Sequence, residues 1–260
     1  MLLAIDIGNT QTVIGLFKGD LLVQSWRMVT PRHETSDEIG SAVFSFLKNS
    51  GYRPEEIEKI AVSCVVPRIL LEIEKMSQKY FKLEPFIIDI NINTGLKIKY
   101  DYPKKIGADR IANAVAAKEL YGCPVVVIDF GTATTFDIIS SKCEYLGGVI
   151  APGIEISSEA LFNYAAKLSK VDLSWPDTVI GKNTYDCIRS GILYGFQGQA
   201  EFLLKKIIEE VRDSDKDFNP RTVVTGGLSI LMVDRAGFID FHEPDLTLKG
   251  LKILIDINLK

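Results

Sequence analysis

The sequence predicts an α/β protein that is built from two related halves. A short motif occurs twice at a fixed distance, and apolar β-rich runs alternate with amphipathic segments of helical period. Of the 260 residues, 47% are hydrophobic and 25% are charged, which is the composition of an ordinary globular protein. A chain of this composition has enough apolar surface to form a core, so a mainly disordered protein is excluded.

The repeat joins the segment 2–12 to the segment 125–135. An Ile, an Asp, a Gly and the final Thr match at a constant offset of 123, since 129 − 6 = 123 and 135 − 12 = 123. Each copy is an apolar run, an Asp, a Gly/Thr turn and a second apolar run, a pattern that favours a β-hairpin. Asp-x-Gly is also a common turn sequence, so chance is the alternative to duplication. We predict halves at residues 1–121 and 122–260 with a ligand cleft between them.

The remaining elements follow from apolar periodicity and turn residues. A helix is predicted over Ser36–Ser50, with Ser36 or Asp37 as its cap, and an Ala-rich helix over Ala108–Tyr121. Buried strands are predicted at 60–66 and 85–90. Further helices are predicted at 159–166, 185–211 and 248–257, the last of which also fits a strand, and a strand ending in a glycine turn is predicted at 222–227.

Charge and cysteine usage limit the classes of function. The net charge of -4 argues against a dedicated nucleic-acid binder, and no apolar run approaches the ~20 residues of a membrane span. The first residues lack a basic region and a cleavage site, so no signal peptide is predicted. The four cysteines form no C-x-x-C pair and have mostly apolar neighbours: Cys64, Cys123, Cys143 and Cys187. We expect buried free thiols in a cytoplasmic protein rather than disulfides or a zinc site.

The two hairpin turns are the first candidate site. Backbone N–H groups and hydroxyls of a Gly/Thr-rich turn can hold phosphate oxygens, and Gly8 and Gly131 permit a close approach of the backbone. Asp6 and Asp129, which precede the turns, have the chemistry of ligands for a cation beside the phosphates. Because neither a P-loop nor a G-x-G-x-x-G fingerprint occurs, two such turns indicate a different type of nucleotide site.

A second candidate site opens the Ala-rich helix at Gly107-Ala108-Asp109-Arg110. An Asp at this place is equally explained as a helix cap, since it accepts free N–H groups and interacts favourably with the helix dipole. The functional interpretation is a general base, Asp109, beside Arg110 as a clamp for a carboxylate. The preceding segment 100–105 is either a solvated loop or part of the wall of a small-molecule pocket.

Six motifs occur in a fixed order along the chain: Asp6–Thr10, Gly107–Arg110, Asp129–Thr135, Gly147–Gly148 with Pro152–Gly153, Thr225–Gly227 and Pro244–Leu251. In this order and spacing they resemble the motifs of type III pantothenate kinases over nearly the whole chain. The family belongs to the superfamily of acetate and sugar kinases, heat-shock chaperones and actin. The resemblance therefore implies two ribonuclease-H-like halves of the actin-like ATPase superfamily with a nucleotide cleft between them.

The same resemblance implies the residue roles. Asp109 is similar to the family's catalytic base, Asp129 to the ligand of a monovalent cation, K⁺ or NH₄⁺, and Asp6 to a residue that helps to hold Mg²⁺. The ATP-binding residues that it implies are Asp6, Ile7, Gly8, Asn9, Thr10, Gln11, Thr12 and Thr132. Those for pantothenate are Tyr100, Gly107, Ala108, Asp109 and Arg110, with Thr184 reaching across a homodimer interface.

The implied activity is the ATP-dependent phosphorylation of pantothenate to 4'-phosphopantothenate, the first step of coenzyme A biosynthesis. The partners expected are pantothenate, ATP and a second copy of the chain, with neither nucleic acid nor membrane. The alternative is a nucleotide-binding regulator or a chaperone-like ATPase of the same fold, because relatives of this family act as transcriptional activators. That alternative gives Gly107–Arg110 and Thr184 no role and lacks a basic patch.

Overall fold

The computed structural model describes residues 1–164 and 171–259. Its strands are β1 (Leu2–Ile7), β2 (Gln11–Lys18), β3 (Leu21–Val29), β4 (Lys59–Cys64), β5 (Phe86–Ile87), β6 (Lys97–Ile98), β7 (Val125–Phe130), β8 (Ala133–Ile139), β9 (Glu144–Pro152), β10 (Arg221–Thr225) and β11 (Phe241–His242). Its helices are α1 (Ser36–Asn49), α2 (Pro67–Met76), α3 (Ala108–Tyr121), α4 (Ile154–Tyr164), α5 (Thr184–Ser214), α6 (Ile230–Val233) and α7 (Leu246–Asn258). The α/β class is confirmed.

The chain forms two compact units. The first contains Met1–Leu96, Asp101–Ala116 and the segment that begins at Leu246, and the second contains Lys97–Tyr100 and Ala117–Asp245. The two related halves expected at 1–121 and 122–260 remain a prediction, which was drawn from the sequence repeat. In the structure α7 packs on β1, β2 and β4 of the first unit. The amphipathic pattern at 248–257, which fits both a helix and a strand, is thus a helix.

Each unit has one mixed sheet with the repeated hairpin at its centre. The strand order is β3-β2-β1-β4-β5 in the first unit and β11-β10-β7-β8-β9-β6 in the second. In both hairpins the first strand is buried at every position except its aspartate, Asp6 or Asp129, which is partly exposed. Because Ile, Val and Phe on β7, β8 and β10 alternate between faces, one face packs on α4 and α5 to form the core of the second unit.

The hairpins differ by one residue at the turn, which corrects the offset of 123 beyond that point. Three residues, Gly8 to Thr10, connect β1 to β2, whereas two, Gly131 and Thr132, connect β7 to β8. Asp6 pairs with Val13, but Asp129 pairs with Thr135. The counterpart of Thr12 is therefore Thr134, with 134 − 12 = 122, and both of these threonines are buried. A strand read one residue out of register exchanges its two faces.

The prediction of a cap at Ser36 or Asp37 is wrong by one residue. Thr35 is the N-cap of α1 and forms a capping box with Glu38. The Glu38 carboxylate accepts a hydrogen bond from the backbone N–H of Thr35 at 2.8 Å, and the Thr35 hydroxyl accepts from the N–H of Glu38 at 3.4 Å. Both bonds satisfy amide groups that have no partner inside the helix.

Other boundaries differ from the predicted ones by small amounts. The strand expected at 85–90 is reduced to Phe86–Ile87, and the helix expected from Glu159 begins earlier, at Ile154. Residues 165 and 166 of that predicted helix lie outside the described residues. None of the helices in the described parts of the chain is long and apolar enough to cross a membrane.

The expectation of four free thiols is wrong. Cys123 and Cys143 form a disulfide with their Cα atoms 5.5 Å apart, while Cys64 and Cys187 are free. Cys123 lies just before β7 and Cys143 lies in the turn between β8 and β9, so the sheet brings together residues that are 20 apart in sequence. Because disulfides are rare in reducing compartments, the cysteines no longer support the expected cytoplasmic location.

Candidate active site

The first hairpin turn lies at the end of β1 and exposes Asn9, Thr10 and Gln11. It is closed by a hydrogen bond of 3.0 Å from the N–H of Gly8 to the carbonyl of Gln11. The Gln11 side chain accepts a hydrogen bond from Arg27 at 2.9 Å. The turn thus presents polar side chains and backbone around a glycine, as a phosphate site requires.

Thr12 points away from this exposed tip. It is 3% exposed, and its hydroxyl lies 3.1 Å from that of Thr30, which is equally buried. Thr30 donates to the carbonyl of Gly8 at 2.7 Å, so its proton is committed and Thr12 is the donor in the Thr12–Thr30 bond. A direct contact of Thr12 with ATP remains a prediction. Its hydrogen bond to Thr30 supports the turn from the buried side.

Asp6 occupies the last but one position of β1 and is partly exposed. Its neighbours in the sheet are Val13 on β2 and Ser63 on β4. Next to Ser63 is Cys64, and burial, together with the charge of Asp6, raises the pKa of its thiol. Cys64 is therefore a poor nucleophile, because the thiolate is the reactive form.

The N-terminus of α3 holds Asp109 in a constrained position. One carboxylate oxygen of Asp109 accepts the N–H of Arg110 at 2.8 Å and lies so close to Gly107 that a Cβ there would overlap with it. The Gly107 carbonyl accepts the first helical bond, from Ile111 at 3.1 Å. Burial raises the pKa of Asp109, while the N–H and the charge of Arg110 act in the opposite direction. The helix-cap interpretation explains the bond to Arg110, and a raised pKa is what a general base of a buried site requires.

Val65 connects the hairpin to this helix within the first unit. Its N–H donates to the carbonyl of Ile7 at 3.1 Å, and its side chain lies 3.7 Å from the position that a Cβ of Gly107 would occupy. The end of β1 and the start of α3 therefore flank the same residue. The sequence separation of about one hundred residues between Asp6 and Asp109 gives no hint of this arrangement.

In the second unit, Asp129 is enclosed by two glycines. A Cβ on Gly131 would lie 3.2 Å from its carboxylate, and one on Gly226, whose φ is +96°, would overlap with that carboxylate. The Gly226 turn is fixed to the end of β7 because Leu228 donates to the Phe130 carbonyl at 3.1 Å. The glycine turn predicted after β10 thus supports the position of Asp129.

Ser229 and His242 hold the Gly226 turn, and sequence reasoning identified neither of them. The buried hydroxyl of Ser229 donates to the Gly226 carbonyl at 2.6 Å, and it lies 2.9 Å from Nε2 of His242. Since the serine proton is committed to the carbonyl, the histidine nitrogen is the donor to Ser229. This pair is a structural support rather than a nucleophile and its base.

Tyr100 belongs to the second unit and lies against strand β9. Its ring meets the Tyr145 ring edge-on with centroids 6.3 Å apart, and it covers Gly147, whose φ is +118°. The Tyr145 hydroxyl donates to the buried carboxylate of Asp137 at 2.7 Å. Tyr145 and Asp137 therefore fix the wall behind Tyr100, and no sequence pattern had singled them out.

Thr184 is exposed at the first position of α5. The cap of that helix is Asn183, whose side chain accepts from the N–H of Asp186 at 3.0 Å. Thr132 is partly exposed in the second hairpin turn. Within each unit, the predicted residues thus cluster as follows: Asp6 to Thr12 near Gly107 to Arg110 in the first, and Asp129 and Thr132 near Gly226 in the second.

The oxygen ligands at both aspartates fit hard cations. Mg²⁺ binds through one or two carboxylates and completes its shell with phosphate oxygens and water, which matches a single partly exposed Asp6. Asp129 offers a carboxylate among backbone groups of two turns. In the two described ranges, no three His, Cys, Asp or Glu side chains are grouped as a metal site. A cation at either place would take most of its ligands from elsewhere.

Solved structures share the fold of this chain at low sequence identity. A Campylobacter jejuni protein named as a Baf family transcriptional activator is 23% identical, with a TM-score of 0.58 and 98% of each chain covered. Component A of (R)-2-hydroxyglutaryl-CoA dehydratase from Acidaminococcus fermentans is 13% identical, with a TM-score of 0.55 over 98% of this chain and 96% of the other. The ethanolamine utilization protein EutJ from Carboxydothermus hydrogenoformans is 15% identical, with a TM-score of 0.53 over 97% and 89%.

These likenesses support the actin-like ATPase fold, and they show nothing about the function of this chain. The family is shown by a different comparison, because the model of the type III pantothenate kinases matches residues 2–206. That range includes both hairpins, Gly107–Arg110 and Thr184, whereas the Thr225–Gly227 turn lies beyond it. The chain, with its paired aspartate hairpins and its constrained Asp109, belongs to the type III pantothenate kinase family, whose members phosphorylate pantothenate in coenzyme A biosynthesis.

Proposed function

We propose that Asp109 is the general base with which this kinase transfers the γ-phosphoryl group of ATP to the primary hydroxyl of pantothenate. The observation that carries the proposal is the Asp109 carboxylate, held over Gly107 with a raised pKa at the start of α3. Asp109 accepts the hydroxyl proton, the freed oxygen bonds to the γ-phosphorus, and the bond from that phosphorus to the ADP oxygen breaks. Phosphoryl transfer depends mainly on such positioning and on neutralising charge.

The other site residues bind and orient. The Gly8–Thr10 turn and Thr132 are the proposed phosphate and ATP contacts, and Arg110 and Tyr100 are each proposed to contact pantothenate. Asp6 would hold Mg²⁺ and Asp129 would hold K⁺ or NH₄⁺, and these cations supply positive charge against the phosphates when they are bound. Supporting this assignment, none of the residues in the two turns is a lysine or an arginine.

A coupled ADP-release assay tests the function. Turnover should require pantothenate, ATP and Mg²⁺ together, and it should rise when K⁺ or NH₄⁺ replaces Na⁺ at constant ionic strength. ATP hydrolysis that does not depend on pantothenate would favour a regulator or chaperone-like ATPase and would contradict the assignment. Pantothenate-dependent turnover that is indifferent to the monovalent cation would remove only the proposed role of Asp129.

A homodimer is part of the proposal, and the exposed apolar side chains of α4 and the start of α5 support it. Tyr164 is 91% exposed and Phe162 46% exposed, and Ile156 and Leu161 on the same helix are also exposed. Exposed aromatic and aliphatic side chains at this density are typical of an interaction surface. Thr184, exposed nearby in sequence, would then be offered to the partner's site.

The variant Phe162→Glu is expected to shift the protein from dimer to monomer, because a charge replaces a ring at the interface core. Light scattering coupled to gel filtration measures the mass directly. The matched control is Leu71→Glu on α2 of the first unit, an equally apolar side chain that is 60% exposed and should leave the mass unchanged. A dimer that persists in Phe162→Glu, or a monomeric wild type, would contradict the proposed interface.

The cytoplasm is the proposed location, since ATP is available there for a biosynthetic kinase. The Cys123–Cys143 disulfide is the observation that argues against it.

A further inference from the structure

We propose that Thr30 is a positioning residue for the phosphate-binding turn of the first hairpin. This inference rests on the proposed function, because it assumes that the Gly8–Thr10 turn receives the phosphates of ATP. Thr30 follows β3 directly and is 3% exposed, so it contacts no ligand itself. It acts through the backbone of the turn.

Thr30 is bonded to the turn at both ends. Its N–H donates to the carbonyl of Thr10 at 2.9 Å, and its hydroxyl donates to the carbonyl of Gly8 at 2.7 Å. Thr12, the first buried residue after the turn, donates in turn to the Thr30 hydroxyl across 3.1 Å. One residue therefore ties the turn together: its side chain contacts Gly8, which enters the turn, and Thr12 on the strand that follows, while its backbone N–H holds Thr10, which ends the turn.

A phosphate site needs this kind of support because its donors are backbone N–H groups. Such donors are effective only when they already point at the ligand, since ordering a loose loop on binding consumes part of the binding free energy. By accepting from Thr30, the Gly8 carbonyl is turned towards the protein interior. The peptide plane that contains the Gly8 carbonyl and the N–H of Asn9 is thereby fixed, with that N–H on the opposite side.

In the second hairpin, the residue equivalent to Thr30 has no hydroxyl and supports the turn by direct packing. Its ladder ends with Ala133 opposite Pro152, so that Gly153 is the next residue in register, as Thr30 is after Gln11 and Val29. A Cβ on Gly153 would lie 2.6 Å from the Gly131 carbonyl oxygen and would overlap with that of Thr132. The shorter turn thus packs directly on a glycine, while the longer turn of the first hairpin needs a side chain to fill the gap.

The test compares Thr30→Val, which keeps the shape and removes the hydroxyl, with Thr30→Ser, which keeps the hydroxyl. Steady-state kinetics are measured for both substrates, and the affinity for a non-hydrolysable ATP analogue with Mg²⁺ is measured by calorimetry without pantothenate. Ser77→Ala is the control, because it also removes a buried hydroxyl that donates to a carbonyl, at 2.8 Å, in the same unit.

We expect Thr30→Val to weaken analogue binding and raise KM for ATP by about 10-fold, with KM for pantothenate changed less than about 2-fold. Thr30→Ser and Ser77→Ala should bind the analogue as the wild type does. If Thr30→Val does not fold, Thr30→Ala provides the same comparison without added bulk.

Three outcomes would overturn the inference: wild-type affinity in Thr30→Val, a loss in Thr30→Ser equal to that in Thr30→Val, or an equal rise in both KM values. All three outcomes concern the Thr30 variants and are compatible with normal pantothenate-dependent turnover by the wild-type protein. A wild-type protein without pantothenate-dependent turnover would instead overturn the proposed function, so the two failures are distinguishable.

Discussion

Replacing Asp109 by asparagine is expected to lower kcat by at least about 100-fold while binding of the ATP analogue is retained. Asparagine keeps the size of the side chain but cannot accept the hydroxyl proton, and general-base catalysis is worth about 10²–10⁴ in rate. Steady-state kinetics and calorimetry measure the two quantities. Asp37→Asn, an exposed aspartate of the same unit, is the matched control and should leave both unchanged.

The stability of the Asp109→Asn protein separates a base from a helix cap. Because burial raises the folded-state pKa of Asp109 above its ordinary 3.8, the charged carboxylate destabilises the fold at neutral pH, and this cost vanishes as the pH falls below 3.8. The variant should therefore unfold at or above the wild-type temperature at pH 7, with the difference disappearing in acid. A lower unfolding temperature with full activity would show that Asp109 is a structural cap.

The pH dependence of the wild type provides a further check. Its kcat/KM should fall as the pH is lowered and the base becomes protonated, and the midpoint of this fall should lie above the pKa range of an ordinary aspartate.

Replacing Gly226 by alanine is expected to have the largest effect on stability. The residue has a φ of +96°, and a Cβ there would lie 2.6 Å from the Phe130 carbonyl carbon and 2.7 Å from its nitrogen. Since backbone cannot yield as a flexible side chain does, the strain and the overlap together should lower the free energy of unfolding by about 3–5 kcal/mol. Denaturation in urea, followed by circular dichroism, measures this value.

The matched control is Gly237→Ala, in a loop of the same unit. No atom lies within 4 Å of the position of its Cβ, and its φ is not in the left-handed region. Alanine there should change the free energy of unfolding by less than about 1 kcal/mol. Similar urea midpoints for the two variants would contradict the close packing of the Gly226 turn on β7.

The elements that the sequence predicted well are those with a local signal. Both hairpins, α1, α3 and α5 were predicted because apolar periodicity and glycine turns act over a few residues. The register beyond the turn was wrong because Thr12 and Thr135 are identical in type, although the residue that matches Thr12 in the sheet is Thr134. Identity at a fixed offset cannot reveal a turn that is one residue shorter.

The sequence allowed a site residue to be predicted only where that residue belongs to a recognisable motif. Asp109 and Asp129 stand in such motifs, whereas Thr30 acquires its role from the register of β2 with β3 and Tyr145 from a hydrogen bond to Asp137. The disulfide gave no signal for a related reason. Cys123 and Cys143 meet because β8 returns the chain alongside β7, and their spacing of 20 residues matches no recognised pattern.

The place of α7 has a consequence for folding during synthesis. Leu248 packs against Gly15, Gly250 is so close to the Ala112 carbonyl that no Cβ would fit, and Thr247 donates to Asn113 at 2.8 Å. These contacts complete the core of the unit that contains β1, yet residues 246–258 leave the ribosome after all of the second unit. Domains often fold in the order in which they emerge. Here the unit that begins first can finish only last, because its sheet lacks the helix that packs on β1, β2 and β4 until α7 has been synthesised.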